Sequence, residues 1–590
     1  MLAGKLGKTG HCRLSDRPPW ANYYPPRKLI FTFDLSFLLM ANDSRFNIWS
    51  PLFYSALLGI GLLTGYLLNT DAPLISIGEG GHPSAGGGRV EQLMGYIEAR
   101  YVDQPDRDKL YEAAINAVLG ELDPHSSYIP KEEMQALTES MEGNFEGIGI
   151  EYLVVNDTIT VVSALPDGPS DAAGILSGDQ IIYVEDSLVT GVDERGIDPA
   201  SLMRGEGGTD VNIKVRRPGA NKLMTFTITR APIPVYSVDA AYTIDDETAY
   251  VKINRFSQNT YAEFMEALEE YLEKAGAKNL ILDLRGNPGG YLQEATKLLS
   301  EIFVQRGVLL VYTEGRNSSR QPYKSSGRAR YNIQDVAILV DGGSASASEI
   351  VAGAVQDHDR GIIVGRRTFG KGLVQEQYPL MDSSALRLTV ARYYTPSDRS
   401  IQRKYDGEED YRGDLNRRFE SGELTGRTAA EVDSSLIYYT DNGYPVFGGG
   451  GIMPDYFVPL DSSLNDQNFL RLRQQIAPYM FTYVREHPAV AEYDDVAAFV
   501  RGFDPDPEAI MADLAALAEM DYPELDRNLP PHLQEELMRY FTARLGRQIF
   551  DGAAFYEIYN REDEIVQEAL RLLRKSDPLA AARSGQVTAS

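Results

Sequence analysis

The chain has 590 residues, a formal net charge of −28 and a single cysteine, Cys12. Its length allows about three to five domains, each with a hydrophobic core of its own. A chain this acidic repels phosphate, which argues against nucleic acid as a partner, and one cysteine near the N-terminus excludes disulfides and cysteine–metal sites from the folded part.

The N-terminal part has the features of a membrane anchor. Residues 1–47 are predicted to be an unstructured N-terminal segment. Within it, residues 1–39 mix proline, aromatic and basic residues without a period, and a short polar lead into the apolar span begins at Met40, where we expect the natural start. Residues 48–68 carry no charge and provide the roughly 20 residues that a membrane-spanning helix needs. A buried core helix is the alternative interpretation of this segment.

Basic residues ahead of the predicted membrane helix indicate a cytoplasmic N-terminus. Residues 69–89 are rich in glycine, serine and proline, a composition typical of flexible linkers. The sequence therefore predicts a single-pass protein of the inner (cytoplasmic) membrane, with the part of the chain after residue 89 on the periplasmic, extracytoplasmic side.

Residues 90–140 are predicted to be helical. Apolar residues recur three or four positions apart, for example at Leu93 and Ile97 and at Leu110 and Ala114, which is the spacing of amphipathic helices. We expect these helices to pack on a following domain or on a second subunit, so a homo-oligomer is one expectation.

Residues 141–231 have the pattern of a small β-rich domain, with short strands predicted at 158–162, 180–184 and 211–215. The loop Gly147-Ile148-Gly149-Ile150 precedes them, and the elements 169–174 and 178–181 accompany them. Together these features resemble a PDZ domain, in which the loop N–H groups hold the C-terminal carboxylate of a peptide that adds a strand. A glycine turn in an unrelated barrel is the alternative.

Arg204 opens the loop 204–209 at the end of a helical stretch in this domain. One interpretation is that Arg204 couples ligand occupancy of the PDZ-like part to the next domain. The other is a surface arginine that caps a helix end, where a cation is favoured.

Residues 232–460 show the alternation of an α/β domain. Predicted strands alternate with helices at 260–275 and 292–304, and the strands lie at 248–253, 280–284, 308–312, 336–340 and 362–364. Continuous apolar strands of this kind are typical of a sheet that is buried on both faces.

A serine run in this domain has the features of a nucleophile. The run 343–349 directly follows an apolar strand and opens a small, apolar helix. Such a corner exposes a side chain, and the N-terminal end of the helix favours a developing oxyanion. The N–H of Ala347 is the first candidate donor, and Gly289 or Gly290, which carry no side chain, could bring a second N–H close.

A hydroxyl needs a base to become a good nucleophile, and the choice is between histidine and lysine. His358 follows Ser346 by twelve positions of one predicted helix, which separates them by roughly 18 Å, and the other histidines lie in segments of different character. Lys371 lies in an apolar stretch where burial could lower its pKa from about 10.4 toward neutrality. Gln375 could orient the amine if the backbone bends, because residues four apart on a strand are about 13 Å apart.

Five stretches in fixed order resemble the C-terminal processing peptidases, or tail-specific proteases, a family of serine proteases with a Ser/Lys catalytic pair and a PDZ domain. They are 123–128, 145–150, 283–290, the serine run and 368–375. The resemblance implies that Ser346, the middle serine of the run, is the nucleophile, Lys371 the base and Gln375 its orienting partner. Ser344 and Ser348 then become helix-start residues.

Residues 461–590 are predicted to form a helical C-terminal domain. The glycine-rich stretch 448–455 resembles the end of the family's protease region, and amphipathic helical patterns follow at 533–545 and 565–573. These patterns do not tell whether the domain regulates, dimerises or binds an adaptor.

The sequence as a whole predicts an α/β multidomain protein. It has one transmembrane helix, N-terminal helices, a β-rich PDZ-like domain inserted before an α/β protease core, and a helical C-terminal region. The predicted function is a serine endopeptidase of the cell envelope that recognises apolar polypeptide C-termini and cleaves through an acyl-enzyme, without cofactor or metal. The alternatives are a non-catalytic, membrane-anchored PDZ scaffold that binds protein C-termini, and an amidase or esterase of small molecules.

Overall fold

The computed structural model of the protein describes residues 88–405, 411, 413–522, 525 and 529–584, together with Ser55. The expected start at Met40, the segment 1–47, most of the predicted membrane helix and the linker up to residue 87 lie outside these residues. No helix within the described residues has the length and apolar character needed to cross a membrane. The chain divides into two units, Met1–Leu93 and Met94–Ser590, and the features below belong to the second unless stated.

Helices form the N-terminal part of the described chain, as the spacing of apolar residues predicts. α1 (Gly88–Arg100) crosses the division between the units, and α2 (Arg107–Gly120) and α3 (Lys131–Glu142) follow. Asp106 caps α2 by accepting a hydrogen bond from the N–H of Lys109, which satisfies a free donor of the first turn. The strand β1 (Ser127–Ile129) lies between α2 and α3.

The predicted β-rich domain contains short strands and three short helices. They are β2 (Asn144–Gly147), β3 (Ile150–Val155), β4 (Thr158–Ala164), α4 (Pro169–Ala173), β5 (Gln180–Val184), β6 (Ser187–Leu188), α5 (Val192–Arg195), α6 (Pro199–Met203), β7 (Asp210–Arg216), β8 (Met224–Thr229) and β9 (Ala231–Pro234). The main sheet is antiparallel in the order β3-β4-β5-β7-β8, which confirms the three predicted strands. Ile159, Val161, Ile181 and Ile213 are buried in a hydrophobic cluster that this sheet shares with its helices. β3 lies at one edge of the sheet.

The central sheet of the larger domain is mostly parallel. Its strands are β10 (Val238–Asp245), β11 (Thr248–Ile253), β12 (Asn279–Asp283), β15 (Val336–Val340), β16 (Ile362–Gly365) and β21 (Tyr456–Phe457), in that spatial order. Every residue of β11 and β15 is buried, as expected for a parallel sheet that is covered on both faces.

Different helices cover the two faces of the central sheet. α7 (Thr260–Leu268), α8 (Leu292–Ile302) and α9 (Ala347–Asp357) share a core with Val251, Leu282 and Ile338. The alternate strand residues, among them Tyr250 and Ile281, pack with α16 (Glu564–Leu573) and α17 (Pro578–Ser584). This split follows from the alternation of side chains across a strand.

A second sheet is antiparallel. It contains β1, β13 (Leu309–Glu314), β14 (Gln321–Lys324), β17 (Leu373–Pro379) and β18 (Ala385–Tyr394), with β18 pairing to β1, β13 and β17. The strand predicted at 308–312 therefore belongs to this sheet and not to the central one, because an apolar run predicts a strand but not the sheet that it joins.

The helical C-terminal region has two parts. α11 (Gln467–Glu486), α12 (Val496–Gly502), α13 (Pro507–Leu517), α14 (Pro531–Ile549) and α15 (Gly552–Tyr559) share an aromatic-rich core, whereas α16 and α17 pack on the central sheet. The remaining elements, α10 (Asp414–Glu420), β19 (Ile437–Tyr439) and β20 (Pro445–Phe447), lie between β18 and β21 in the chain. A prediction of one domain over 461–590 does not anticipate this split, because an amphipathic helix has the same pattern on a sheet as on other helices.

Candidate active site

Ser346 lies at the corner between β15 and α9. Its backbone has φ +55° and ψ −113°. Residues other than glycine rarely adopt this conformation, and it is maintained only where the surrounding structure imposes it. A strained strand-to-helix turn of this kind exposes a nucleophile hydroxyl. The other two serines of the run are buried, since the Ser344 hydroxyl donates to the Leu284 carbonyl (2.8 Å) and the Ser348 hydroxyl to the Asn287 carbonyl (3.0 Å).

The side chains of Lys371 and Gln375 are in contact. The Nζ of Lys371 donates to Oε1 of Gln375 at 3.2 Å. β17 begins only at Leu373, so Lys371 lies ahead of the strand and directly after Gly370, which has φ +89°. The pairing of β17 with β18 shifts register between Val374 and Gln375.

The surroundings of Lys371 favour its neutral form. Burial lowers the pKa of Lys371, and the positive charge of Arg387 lowers it further, while Glu349 and Asp123 act in the opposite sense. The net direction is downward from the ordinary value of 10.5. A lowered pKa makes the neutral amine available at a lower pH than in an ordinary lysine, and the neutral amine is the form that acts as a general base.

The segment 123–126 forms a turn that orients Gln375. The Asp123 carboxylate accepts hydrogen bonds from the N–H groups of His125 and Ser126, both at 2.9 Å, and from the Ser126 hydroxyl at 2.6 Å. This closed turn presents the carbonyl of His125, which accepts a hydrogen bond from Nε2 of Gln375. The Oε1 of Gln375 is thereby turned toward Lys371.

The imidazole of His125, which the sequence analysis sets aside, lies close enough to the site to interact with Lys371. Burial, then the charge of Lys371, lower the pKa of His125 to about 4, so the ring is neutral at neutral pH. Its Nε2 shares a hydrogen bond of 2.7 Å with the Tyr411 hydroxyl. His358, at the far end of α9, pairs with Asp441 and the Leu309 carbonyl instead.

Glu349 is a site residue that the sequence analysis misses. Its buried carboxylate accepts from the N–H of Ser346 (2.9 Å), from Gly370 (2.7 Å) and from Lys371 (2.8 Å). It therefore ties the backbone of the nucleophile to that of the lysine, and the Tyr393 hydroxyl lies 3.0 and 2.6 Å from the carbonyls of the same two residues. A glutamate three residues after a helix-starting serine is the capping-box signal, but the contact with Lys371 is not visible in sequence.

The two candidate oxyanion glycines differ. A Cβ on Gly289 would lie 2.7 Å from the Ser346 Cβ and 2.9 Å from the Ala347 nitrogen, so this glycine permits the close approach of its loop to the nucleophile. The N–H of Gly289, however, donates to Asn287 Oδ1 at 2.8 Å. Among the described residues, the N–H groups of Gly290 and Ala347 have no acceptor, and both residues line the cleft around Ser346.

That cleft has a volume of about 670 Å³ and contains Ser346, Lys371 and Gln375 in its lining. Leu137 and Met141 of α3 line it too. No group of three His, Cys, Asp or Glu side chains suited to a metal ion occurs in the described part of the chain.

The loop that contains Arg285 and the glycines connects the site to the C-terminal region. Arg285 pairs with Asp283 at 2.6 Å and with Asp563, at the start of α16, at 2.9 Å. The Asp563 carboxylate also caps α16 by accepting from the N–H of Val566. The loop is therefore braced by a helix that lies almost 280 positions later in the chain.

In the β-rich domain, the predicted carboxylate loop lies directly before the edge strand β3. Ile148 is buried, and its carbonyl accepts hydrogen bonds from the N–H and the hydroxyl of Ser170. Within the described residues, the N–H groups of Ile148 and Gly149 donate to no acceptor, while Gly147 and Ile150 belong to β2 and β3.

Arg204 ends α6 and reaches toward α3. Its guanidinium lies 3.1 Å from the Glu139 carboxylate and stacks over the Phe145 ring at 4.6 Å. Arg204 thus connects the β-rich domain with a helix whose Leu137 and Met141 line the cleft.

Comparison with known proteins matches residues 247–411 to peptidase family S41. The chain is 37% identical over 318 residues to a carboxy-terminal-processing protease of Bartonella bacilliformis, which covers 53% of this chain and 72% of that protein. It is 36% identical over 320 residues to the carboxy-terminal processing protease CtpB of Bacillus subtilis, which covers 54% of this chain and 65% of that protein.

Two solved structures are also similar. The photosystem II D1 C-terminal processing protease is 30% identical, over 53% of this chain and 84% of that chain, with a TM-score of 0.30. The PDZ domain of a carboxy-terminal protease of Vibrio cholerae, in complex with a peptide, is 27% identical over 16% of this chain and 99% of that chain, with a TM-score of 0.14.

Proposed function

Because the chain belongs to peptidase family S41, the family of the carboxy-terminal processing proteases, we propose that it is a serine endopeptidase in which Ser346 is the nucleophile and Lys371 the base. One observation carries the assignment: a strained serine and a lysine with a lowered pKa line the same cleft, and the lysine is held by a neutral amide. A neutral partner orients the amine without stabilising its charged form.

The reaction follows from these positions. The Ser346 oxygen attacks the peptide carbonyl carbon while its proton passes to the Lys371 amine, and the N–H groups of Ala347 and Gly290 stabilise the oxyanion. Lys371 then gives that proton to the leaving nitrogen, the C–N bond breaks and an acyl-enzyme ester remains. Water attacks the ester with Lys371 again as base, which releases the new C-terminus and restores the Ser346 hydroxyl.

We propose that residues 141–231 form a PDZ-like domain that recognises apolar polypeptide C-termini. Among the residues that the structure describes, the N–H groups of Ile148 and Gly149 have no acceptor, which suits a carboxylate, and β3 is an edge strand that could pair with an added strand. Arg204 then couples the two domains through Glu139, because α3 contributes to both the Arg204 contact and the wall of the cleft.

The location remains the one proposed from the sequence. A helix at residues 48–68 would anchor the protein in the inner membrane, with residues 90–590 on the periplasmic side. We assign the protease core to residues 232–460 of this periplasmic part. Protease accessibility of the chain in spheroplasts, compared with lysed cells, tests this orientation.

Digestion of an unfolded protein substrate by the full chain tests the proposed function. We expect cleavage by the wild type and by Ser344→Ala, none by Ser346→Ala, and faster cleavage of substrates that end in apolar residues than of those that end in charged ones. Tail binding without cleavage by the wild type would favour the scaffold alternative, and hydrolysis of small esters without cleavage of protein would favour the esterase.

A further inference from the structure

The cleft contains a second cation besides Lys371. Arg387 lies on β18, opposite Gln377 of β17 and Ser127 of β1. It is half-buried and lines the same cleft as Ser346 and Lys371. Its pair with Gln377 lies two pairs along the ladder from the pair of Thr389 and Gln375, so Arg387 belongs to the strand pair that carries the partner of Lys371.

Arg387 has no hydrogen bond or ion pair with any residue that the structure describes. Other arginines near the site are paired: Arg285 with Asp283 and Asp563, and Arg403 with Asp414. Burial lowers the pKa of Arg387, and no acidic residue in the described part of the chain offsets this effect. A half-buried guanidinium that faces a cleft without a protein partner is available to pair with an anionic group of a ligand.

The carboxylates around the cleft do not fill this role. Glu376 accepts a hydrogen bond from the Tyr378 hydroxyl at 2.6 Å, and Glu142 is exposed. Asp123 and Glu349 accept from the donors described above and influence Lys371 rather than Arg387.

We propose that Arg387 binds a carboxylate of the polypeptide substrate beside the scissile bond. A guanidinium presents two parallel N–H donors that match a carboxylate. The carboxylate has two sources, an acidic side chain near the cut or the free C-terminus of a short tail. Arg387 is thus a specificity-determining residue, and this assignment rests on the proposed function.

Matched peptides test the proposal on the full chain. The first series consists of fluorescence-quenched peptides that are amidated at the C-terminus. Its members differ only in carrying Asp or Asn at one position within three residues of the cut. The second series compares the free C-terminal acid of one peptide with its amide. The wild type is compared with Arg387→Gln, with Arg387→Lys, and with Arg392→Gln, which removes an exposed arginine of the same strand that does not line the cleft.

We expect the wild type and Arg392→Gln to cleave one acidic peptide about tenfold to a hundredfold faster, in kcat/KM, than its neutral counterpart. Arg387→Gln should lose this preference, and Arg387→Lys should keep part of it. A preference for the acidic peptide in the first series identifies an acidic side chain as the carboxylate that Arg387 binds. A preference for the free acid in the second series identifies the C-terminus. If Arg387→Gln changes acidic and neutral peptides by the same factor, the proposal is wrong.

Two further measurements separate this inference from its alternatives. The melting temperature of Arg387→Gln should equal or exceed that of the wild type, because no folded-state partner is lost; a clear decrease would indicate a structural role instead. If the wild type cleaves none of the peptides, the proposed function fails. The affinity of the protein for the same peptides, measured by fluorescence anisotropy, still tests whether Arg387 binds a carboxylate. A preference for the acid that depends on Arg387 supports carboxylate binding, and equal affinities overturn it.

Discussion

At the scale of the residue, the activity depends on the protonation state of Lys371. Burial and Arg387 lower its pKa, so the neutral base becomes abundant below its ordinary pKa of 10.5. We predict that kcat/KM for an uncharged, amidated peptide rises with pH as Lys371 loses its proton. Because Arg387 repels the ammonium, Arg387→Gln should raise the pKa of Lys371 and move this acid limb to higher pH.

A pH series of kcat/KM for the wild type, Arg387→Gln and Arg392→Gln checks the prediction. Glu349, whose pKa burial raises to about 7, faces Lys371 from α9, and Asp123 and His125 face it from the 123–126 turn. None of these groups is changed in the comparison. If Arg387→Gln does not shift the acid limb of the pH profile of kcat/KM, the titration of Lys371 does not determine that limb.

The sequence identifies some residues of the site and not others. Ser346, Lys371 and Gln375 lie in short motifs whose order is specific. Glu349 acts through contacts with Gly370 and Lys371, which lie 21 and 22 positions later in the chain. Arg387 is distinguished by its lack of a partner among the described residues, and local sequence patterns record neither property. The choice of Gly290 over Gly289 likewise depends on one hydrogen bond to Asn287.

At the scale of the element, the glycine loop must pack against the start of α9. We predict that Gly289→Ala abolishes cleavage, because its Cβ would meet Ser346 and Ala347 at less than 3 Å and its φ is +99°. Gly286→Ala is the matched control in the same loop, since its φ is also positive, at +68°, but a Cβ there meets nothing within 4 Å.

Peptide cleavage and circular dichroism of both variants check this prediction. Gly286→Ala should keep most of the activity, at a cost of about 1 kcal/mol in stability for the left-handed backbone. Wild-type activity in Gly289→Ala would mean that the loop does not approach Ser346 as closely as the structure indicates.

Among the elements, the strands with continuous apolar runs and the β-rich domain follow from the sequence, because periodicity and turn residues are local signals. The register shift between β17 and β18 at Val374 and Gln375 does not follow from the sequence. Nor does the membership of β13 in the antiparallel sheet, since its apolar residues would suit either sheet.

At the scale of the whole molecule, the C-terminal helices α16 and α17 pack on the central sheet of the α/β domain. Leu572 is fully buried against the central sheet, whereas Leu517 of α13 is 50% exposed. We predict that Leu572→Ala destabilises the catalytic domain by about 2–5 kcal/mol, the range for large-to-small changes in a core, and that Leu517→Ala has little effect.

Urea denaturation, followed by residual cleavage activity, checks this prediction. The midpoint for activity should fall in Leu572→Ala and stay unchanged in Leu517→Ala. Retention of the wild-type midpoint in Leu572→Ala would show that the C-terminal helices fold independently of the active site. The sequence predicts the helical pattern of α16, at 565–573, but not the sheet on which it packs, because the strands of that sheet lie far earlier in the chain.

The most direct test of the account is the covalent labelling of Ser346 by a fluorophosphonate, measured by intact-mass spectrometry and peptide mapping of the full chain. The account predicts a single adduct on Ser346 in the wild type and in Ser344→Ala, no adduct in Ser346→Ala, and labelling about a hundredfold slower or more in Lys371→Ala, which lacks the base. Labelling of Lys371→Ala at the wild-type rate, or an adduct on another residue, would contradict the Ser346–Lys371 pair.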